Sequence, residues 1–270
     1  MIDALAHRST SRTRGAITTV LDRELRDLWL GGRGPLLTVA FSVLLSVIAY
    51  LVATNQSLNF LEQRESTNLL LQVAIAVGGL LCLVVAADAI SGERERRTLE
   101  NLLLTPVRRL DLAAGKLLAA LSLWSAAFAV TIPYTIFLGH GVGIAGRAVL
   151  AGFLVGTLLA VFLASLGILV SVFASSNRIS LSISLFVLLA LFAPTQLPAP
   201  AQGGWAGDLL ARINPLAAGE HYIGKIVVDA HAWGDDASWL ASPAIGAALF
   251  GGLALFAGAR ALRLRAGASG

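Results

Sequence analysis

The sequence predicts an all-α, polytopic membrane protein with six transmembrane helices. Hydrophobic residues fill 56% of its 270 positions and charged residues only 13%, whereas soluble domains average about 25% charged. The apolar residues arrive in blocks of about 20, the length a helix needs to cross a hydrocarbon core about 30 Å thick. The charges gather between those blocks, with nine of them from Gly92 to Asp111.

Taken in order, residues 1–34 read as a cytoplasmic N-terminal segment. The stretch 1–16 is polar, with Arg8, Arg12 and Arg14. It lacks the pattern of a cleavable signal peptide, because the first apolar run begins only at Pro35. Ile17 to Trp29 places Ile17, Val20, Leu21, Leu25, Leu28 and Trp29 on a stripe of helical period. Asp22, Arg23, Glu24, Arg26 and Asp27 lie off that stripe, so the segment reads as an amphipathic elbow helix along the inner leaflet. Gly31-Gly32-Arg33-Gly34-Pro35 then turns the chain into the bilayer.

Residues 35–259 form the transmembrane domain. Its six spans are expected at Pro35–Thr54, Leu69–Ile90, Leu112–Leu138, Ala148–Ala174, Ile179–Leu197 and Trp239–Ala259. With an internal N-terminus, sixteen of the twenty lysines and arginines fall on the cytoplasmic side. Only Arg64, Arg147, Arg212 and Lys225 fall outside. That asymmetry predicts both termini in the cytoplasm, with 260–270 as a short tail. Trp205, Trp233 and Trp239 fit an aromatic belt at the outer interface. Small residues recur every fourth position as Ala74, Gly78, Cys82 and Ala86, and again as Gly152, Gly156, Ala160 and Ala164. Such ridges allow close helix packing, within one subunit or between two. Cys82 stands alone, so an intrachain disulfide is excluded.

The loop 198–238 is longer than a plain connection. It holds Asp208–Ile213, then Asn214-Pro215, then an apolar run from Leu216 to Val228 that is too short and too charged to span. This loop reads as extracytoplasmic, with short helices or a single one.

The stretch from Ile90 to Lys116 organises the rest. Each arginine or aspartate at a bilayer centre costs about 2.5–3.5 kcal/mol, so burying this segment in hydrocarbon would cost about 20 kcal/mol. It must lie in water or at the interface. Leu99, Leu102 and Leu103 recur at helical spacing while Glu93, Arg96, Arg97 and Glu100 take other faces. Thr105-Pro106 ends one helix and opens the next, with threonine as cap and proline at the first position. A short amphipathic helix in a membrane-protein loop offers a surface that a soluble partner can grip.

At these residues the chain resembles the permease subunits of type-2 ABC transporters. The resemblance rests on Gly92-Glu93, Thr98-Leu99-Glu100, Leu102-Leu103-Leu104-Thr105-Pro106 and Gly115-Lys116, in that order. It implies that residues 91–105 form a cytoplasmic coupling helix docking on a separate ABC ATPase subunit. The expected coupling residues are Glu93, Arg94, Arg97, Leu99, Glu100, Asn101, Leu102 and Leu103, with Arg94, Arg97, Glu100 and Asn101 as the polar contacts. It further implies two ATPase copies binding ATP and magnesium, and a second permease copy forming a homodimer or heterodimer. The chain itself would carry no cofactor. The setting would be a bacterial plasma membrane and the cargo a hydrophobic or amphipathic export substrate. An alternative keeps the ATP-driven motion but passes it to a periplasmic partner through the 198–238 loop. A secondary carrier or channel is disfavoured by the lack of acids deep in the spans.

Other chemistry is excluded or weak. The chain has no G-x-x-x-x-G-K-[ST] loop, so it is not itself an ATPase of that kind. The basic charge lies beside the spans, which points to topology and not to nucleic acid. His221, Asp229, His231, Asp235 and Asp236 lack metal-ligand spacing and read as a solvated loop. Asp88 and Lys116 are the ionisable residues at the membrane interface. They are expected to serve as an ion relay, or to reach headgroups, pair with each other, or pair with Arg178.

Overall fold

The computed structural model describes residues 17–54, 60–97, 108–196 and 204–266, and every regular element among them is helical. Helix α1 covers residues 17–29 and α2 Arg33–Ala53. The break between them is stereochemical. A side chain at Gly31 would sit 2.2 Å from the Asp27 carbonyl oxygen, and Gly32 has φ 82, a left-handed conformation that glycine alone adopts without cost.

Then follow α3 (Phe60–Glu95), α4 (Arg109–Gly139), α5 (Ala145–Phe173) and α6 (Asn177–Phe192). Two short helices, α7 (Gly204–Ile213) and α8 (Pro215–Val227), precede the long α9 (Ala241–Ala266). Ser176 caps α6 by accepting from the Ile179 amide. Asn214 caps α8 by accepting from the Leu216 amide, with Pro215 at the first helical position.

Six helices are long and apolar enough to cross a membrane: Arg33–Ala53, Glu62–Glu95, Arg109–Val142, Ala145–Phe173, Asn177–Thr195 and Ala237–Arg260. They coincide with the six expected spans apart from their ends. The second runs further than the sequence pattern indicates. Hydropathy ends it at Ile90, yet α3 continues through Ser91, Gly92 and Glu93 to Glu95. Gly92 does not break it, because the Arg96 amide still donates to the Gly92 carbonyl. The helix stops where Arg97 turns left-handed at φ 57. Residues 98–107, with the expected coupling positions Leu99, Glu100, Asn101, Leu102 and Leu103, lie outside the described residues.

Helices α3 and α5 form the centre, with α4 and α9 against them. The small residues are the reason they pack so closely. Gly156 faces Trp124 and Ile75, Gly152 faces Leu71 and Phe128, and Gly78 faces Trp124 from the other side. Ala160, Ala164, Cys82 and Ala86 are fully buried. The ridges read from the sequence thus pack within the chain. Trp124 fills the space the glycines leave, and its indole donates to Thr157 Oγ1 at 3.1 Å.

Helices α2, α6 and α9 stand at the periphery with apolar faces uncovered. Val39, Val43 and Val47 on α2, Ile183 and Phe186 on α6, and Ile245 and Leu249 on α9 are all exposed. Such faces suit hydrocarbon or a neighbouring helix.

A Cβ at Gly156 would lie 2.3 Å from the Trp124 ring, whereas at Gly146 nothing lies within 4 Å. Gly156→Ala is therefore expected to cost about 1–3 kcal/mol by overpacking, with Gly146→Ala neutral or slightly stabilising. Thermal unfolding of the two purified variants in detergent checks this. Equal melting temperatures would contradict the packing described.

Candidate functional site

One end of the bundle carries a network of buried and half-buried charge around the last turns of α3. Lys116, on the second turn of α4, is its centre. The side chain is 2% exposed, and Nζ lies 2.9 Å from Glu24 Oε1 and 2.6 Å from Glu93 Oε1. One ammonium thus joins three helices: α1 through Glu24, α3 through Glu93 and α4 through its own backbone.

The residue before it makes this reach possible. A side chain at Gly115 would come 2.6 Å from Val20 Cγ1, so glycine there lets α1 lie directly on α4. Trp29 fixes the other end of α1 by donating from its indole to Ser122 Oγ at 3.0 Å.

Asp88 forms a second clasp. Its Oδ2 accepts from Arg33 Nη1 at 2.7 Å and from Arg96 Nη2 at 2.9 Å. Asp88, Gly92 and Arg96 are spaced by four, so they stack on one face of α3. A Cβ at Gly92 would sit 2.0 Å from Asp88 Oδ1 and 3.1 Å from the Arg96 guanidinium. The missing side chain is the gap across which arginine reaches aspartate.

The opposite side of the same turns is fastened to the connection between α5 and α6. Arg94 donates to the backbone carbonyls of Ala174 and Val172. Glu95 accepts from the Asn177 amide at 3.2 Å. Ser171 Oγ accepts from the amides of Ile90 and Ser91 at 3.0 and 2.8 Å. Ser180 Oγ donates to the Ala87 carbonyl at 2.8 Å. These bonds answer polar groups that would otherwise be stranded in apolar surroundings.

A polar crevice of about 220 Å³ lies between the two clasps, lined by Glu24, Arg33, Asp88, Glu93, Arg96 and Lys116. The arrangement is electrostatic and mechanical: alternating charges hold α1, α3 and α4 in register.

Asp88 and Lys116 do not pair with each other or with the exposed Arg178, as two of the sequence expectations had it. Each instead takes two partners of its own. Glu93 and Arg94 turn into the protein, while Arg97 is exposed at the end of α3. Sequence reading did not identify Glu24 and Arg33 as partners. They lie 92 and 55 residues from the groups they bind, a distance over which no periodicity operates. The only signal was charge, on the interfacial helix for Glu24 and in the turn into the first span for Arg33.

At the other end, the five loop residues weighed as metal ligands are otherwise engaged. Asp229 pairs with Lys225 at 2.8 Å, His231 with Asp236 at 2.7 Å, and Asp235 accepts from the Ala232 amide. His221 stacks on Trp239. Among the described residues no group of three or more candidate ligands could hold a metal ion.

Lys116→Met leaves two carboxylates facing one another without their cation. It is expected to cost about 3 kcal/mol, the scale for breaking a buried pair, against about 1 kcal/mol for Glu24→Gln, which removes only one of two partners. Gly92→Ala should displace Asp88 from Arg96 and cost about 1–2 kcal/mol. Melting temperatures in the order wild type, Glu24→Gln, Lys116→Met would support the three-helix clasp. A Lys116→Met protein as stable as wild type would rule it out.

The chain matches the family described as ABC-2 family transporter protein over residues 18–218. Among curated proteins none matches it. The matched region begins in α1, includes both clasps and the first five spans, and ends early in α8. With about three-quarters of its length covered, this multi-pass protein belongs to the ABC-2 family of transporter membrane subunits.

Proposed function

We propose that the chain is the permease subunit of an ATP-driven exporter in a bacterial plasma membrane. It would work with a second permease copy, identical or paralogous, and with two copies of a separate ABC ATPase. The single observation that carries this reading is the fastening of residues 88–96 to α2, to α4 and through Lys116 to α1, and to the α5–α6 connection. Within the family matched here, such a charged end is where a nucleotide-hydrolysing partner would push. The positive-residue asymmetry supports placing this end in the cytoplasm.

In this reading Arg97 is a direct docking contact, because it projects from the end of α3 into solvent. Glu93 and Arg94 act one step behind it as positioning residues, since their side chains are held by Lys116 and by the carbonyls of Val172 and Ala174. The segment 98–107 would supply the rest of the contact. A push there would pass through Glu93 to Lys116 and α1, and through Arg94 to α5 and α6. Uncovered apolar faces on α2, α6 and α9 support a pairing of two halves within lipid and a hydrophobic or amphipathic cargo.

The test uses the full chain reconstituted in vesicles with a partner ABC ATPase. Arg97→Glu is expected to lower ATPase stimulation at least about fivefold while leaving membrane insertion and melting temperature at wild-type values. Glu93→Gln should lower stimulation and melting temperature together. Full stimulation by Arg97→Glu would overturn the docking assignment.

A further inference from the structure

At the end of the bundle away from Lys116, a cavity of about 360 Å³ lies between α7, α8, the turn after α6 and α3. Its polar lining is Gln72, Thr195, Asp208, Glu220 and His221. Trp239 forms one wall, clamped by the His221 ring at 3.8 Å and by Arg212 at 4.3 Å. At about 30 Å³ per water, the cavity has room for roughly a dozen water-sized groups.

The charges around it are almost all satisfied. Asp208 pairs with Arg212 on α7 at 3.1 Å and Lys225 with Asp229 at 2.8 Å. Asp236 is hydrogen-bonded to His231 Nδ1 at 2.7 Å. Helix α3 contributes uncharged Gln72, and α5 contributes Val155 and Leu159 beneath Gly219. Glu220 is the exception: among the described residues it has neither an ion pair nor a hydrogen bond. Burial pushes its carboxyl up to about 7, and burial also holds His221 toward its neutral form. At pH 8 the Glu220 carboxylate therefore places in the cavity a negative charge with no cation bonded to it.

An ionised carboxylate in a half-enclosed, partly apolar pocket is costly until a cation approaches it. A bare metal ion would want six or more oxygens, and Glu220 is the one carboxylate here without another commitment. The remaining lining includes Leu210 and Ala217, which suits the apolar body of an organic cation. Helix α7 adds a second indication. Trp205, Leu209 and Ile213 are exposed at four-residue spacing, while Asp208 and Arg212 occupy another face. A helix of that pattern lies in a membrane interface, so the cavity opens at the depth where amphiphiles reside.

We propose that this cavity binds the cationic end of an amine-bearing amphiphile, with the Glu220 carboxylate as its counter-ion. The assignment rests on the export reading above and names the class of cargo.

The experiment uses the full chain in phosphatidylcholine nanodiscs without ATPase. The probe is benzyltrimethylammonium, whose charge is fixed at every pH, and binding is followed by calorimetry. Wild-type protein is expected to bind at pH 8 and to weaken at least about tenfold at pH 5.5, as Glu220 takes up a proton. Protonation of His221 works in the same direction, so Glu220→Gln isolates the carboxylate. That variant should bind weakly at both values. Ala211→Phe, which fills the cavity from the surface helix α7, should abolish binding with Glu220 intact. If Glu220→Gln does not assemble, wild type and Ala211→Phe carry the test alone. Equal binding at both pH values overturns the proposal. So does binding that survives both substitutions, or displacement of the probe by 2 mM calcium or about 0.15 M sodium as complete as by excess probe. Loss of this result with ATPase stimulation still sensitive to Arg97→Glu rejects the amine site alone; loss of stimulation alone rejects the coupling reading.

Discussion

A cation held out of water between two carboxylates is the constraint on which this architecture turns. Lys116 has a side chain only 2% exposed, and an ammonium in that setting is tolerable only with its counter-charges fixed in place. The requirement therefore runs outward from one residue. It dictates that α1 bring Glu24 to within hydrogen-bonding distance and that α3 stay helical far enough to deliver Glu93. It also dictates that Gly115 carry no side chain, since α1 could not otherwise lie low enough. A sequence pair that looks like a motif, Gly115-Lys116, is thus a steric permission followed by an electrostatic demand.

The transmembrane centre obeys a different rule. Between α3, α4 and α5 there is little charge and no water-driven gain in bringing apolar helices together, so close approach depends on shape. Glycines at 78, 152 and 156 open a slot, and Trp124 closes it. Most of the hydroxyl and indole groups there are bonded: Thr131 and Thr135 donate to carbonyls one turn back, and Trp124 donates across to Thr157 on α5. Specificity at the charged end is electrostatic and in the middle it is volumetric. The two devices meet on α3.

How much of this the sequence disclosed follows from the range of each force. Hydropathy is local and abundant, so all six spans and the elbow helix were legible from composition and period, whereas the number of helices in the 198–238 loop was left open. Asp88 and Lys116 were legible as isolated charges at the ends of their apolar runs. Their partners were not, because Arg33 and Glu24 are brought to them only by the folding of α1 and α2 across the bundle. Helix α3 was read as ending at Ile90 because hydropathy falls there. The turns beyond it are fastened by Ser171, by the Val172 carbonyl and by Lys116, a long-range reward for staying helical that no window average contains. Glu220 was visible only as a charge spoiling an apolar run. Its isolation emerged once Arg212, Lys225 and His231 were each found with another acid.

Helix α3 has a consequence of its own. With 36 residues and no proline or glycine break in its hydrogen bonding, it is a rod about 54 Å long, well over the thickness of a bilayer. Gln72 at the wall of one cavity and Glu93 at the edge of the other crevice ride on it about 32 Å apart. A pivot of about 5° at its middle would carry each tip about 2 Å in opposite senses, comparable to the difference between a made and a broken hydrogen bond. Stiffness, and no relay of intermediate side chains, is what would let one mouth of the protein sense the other.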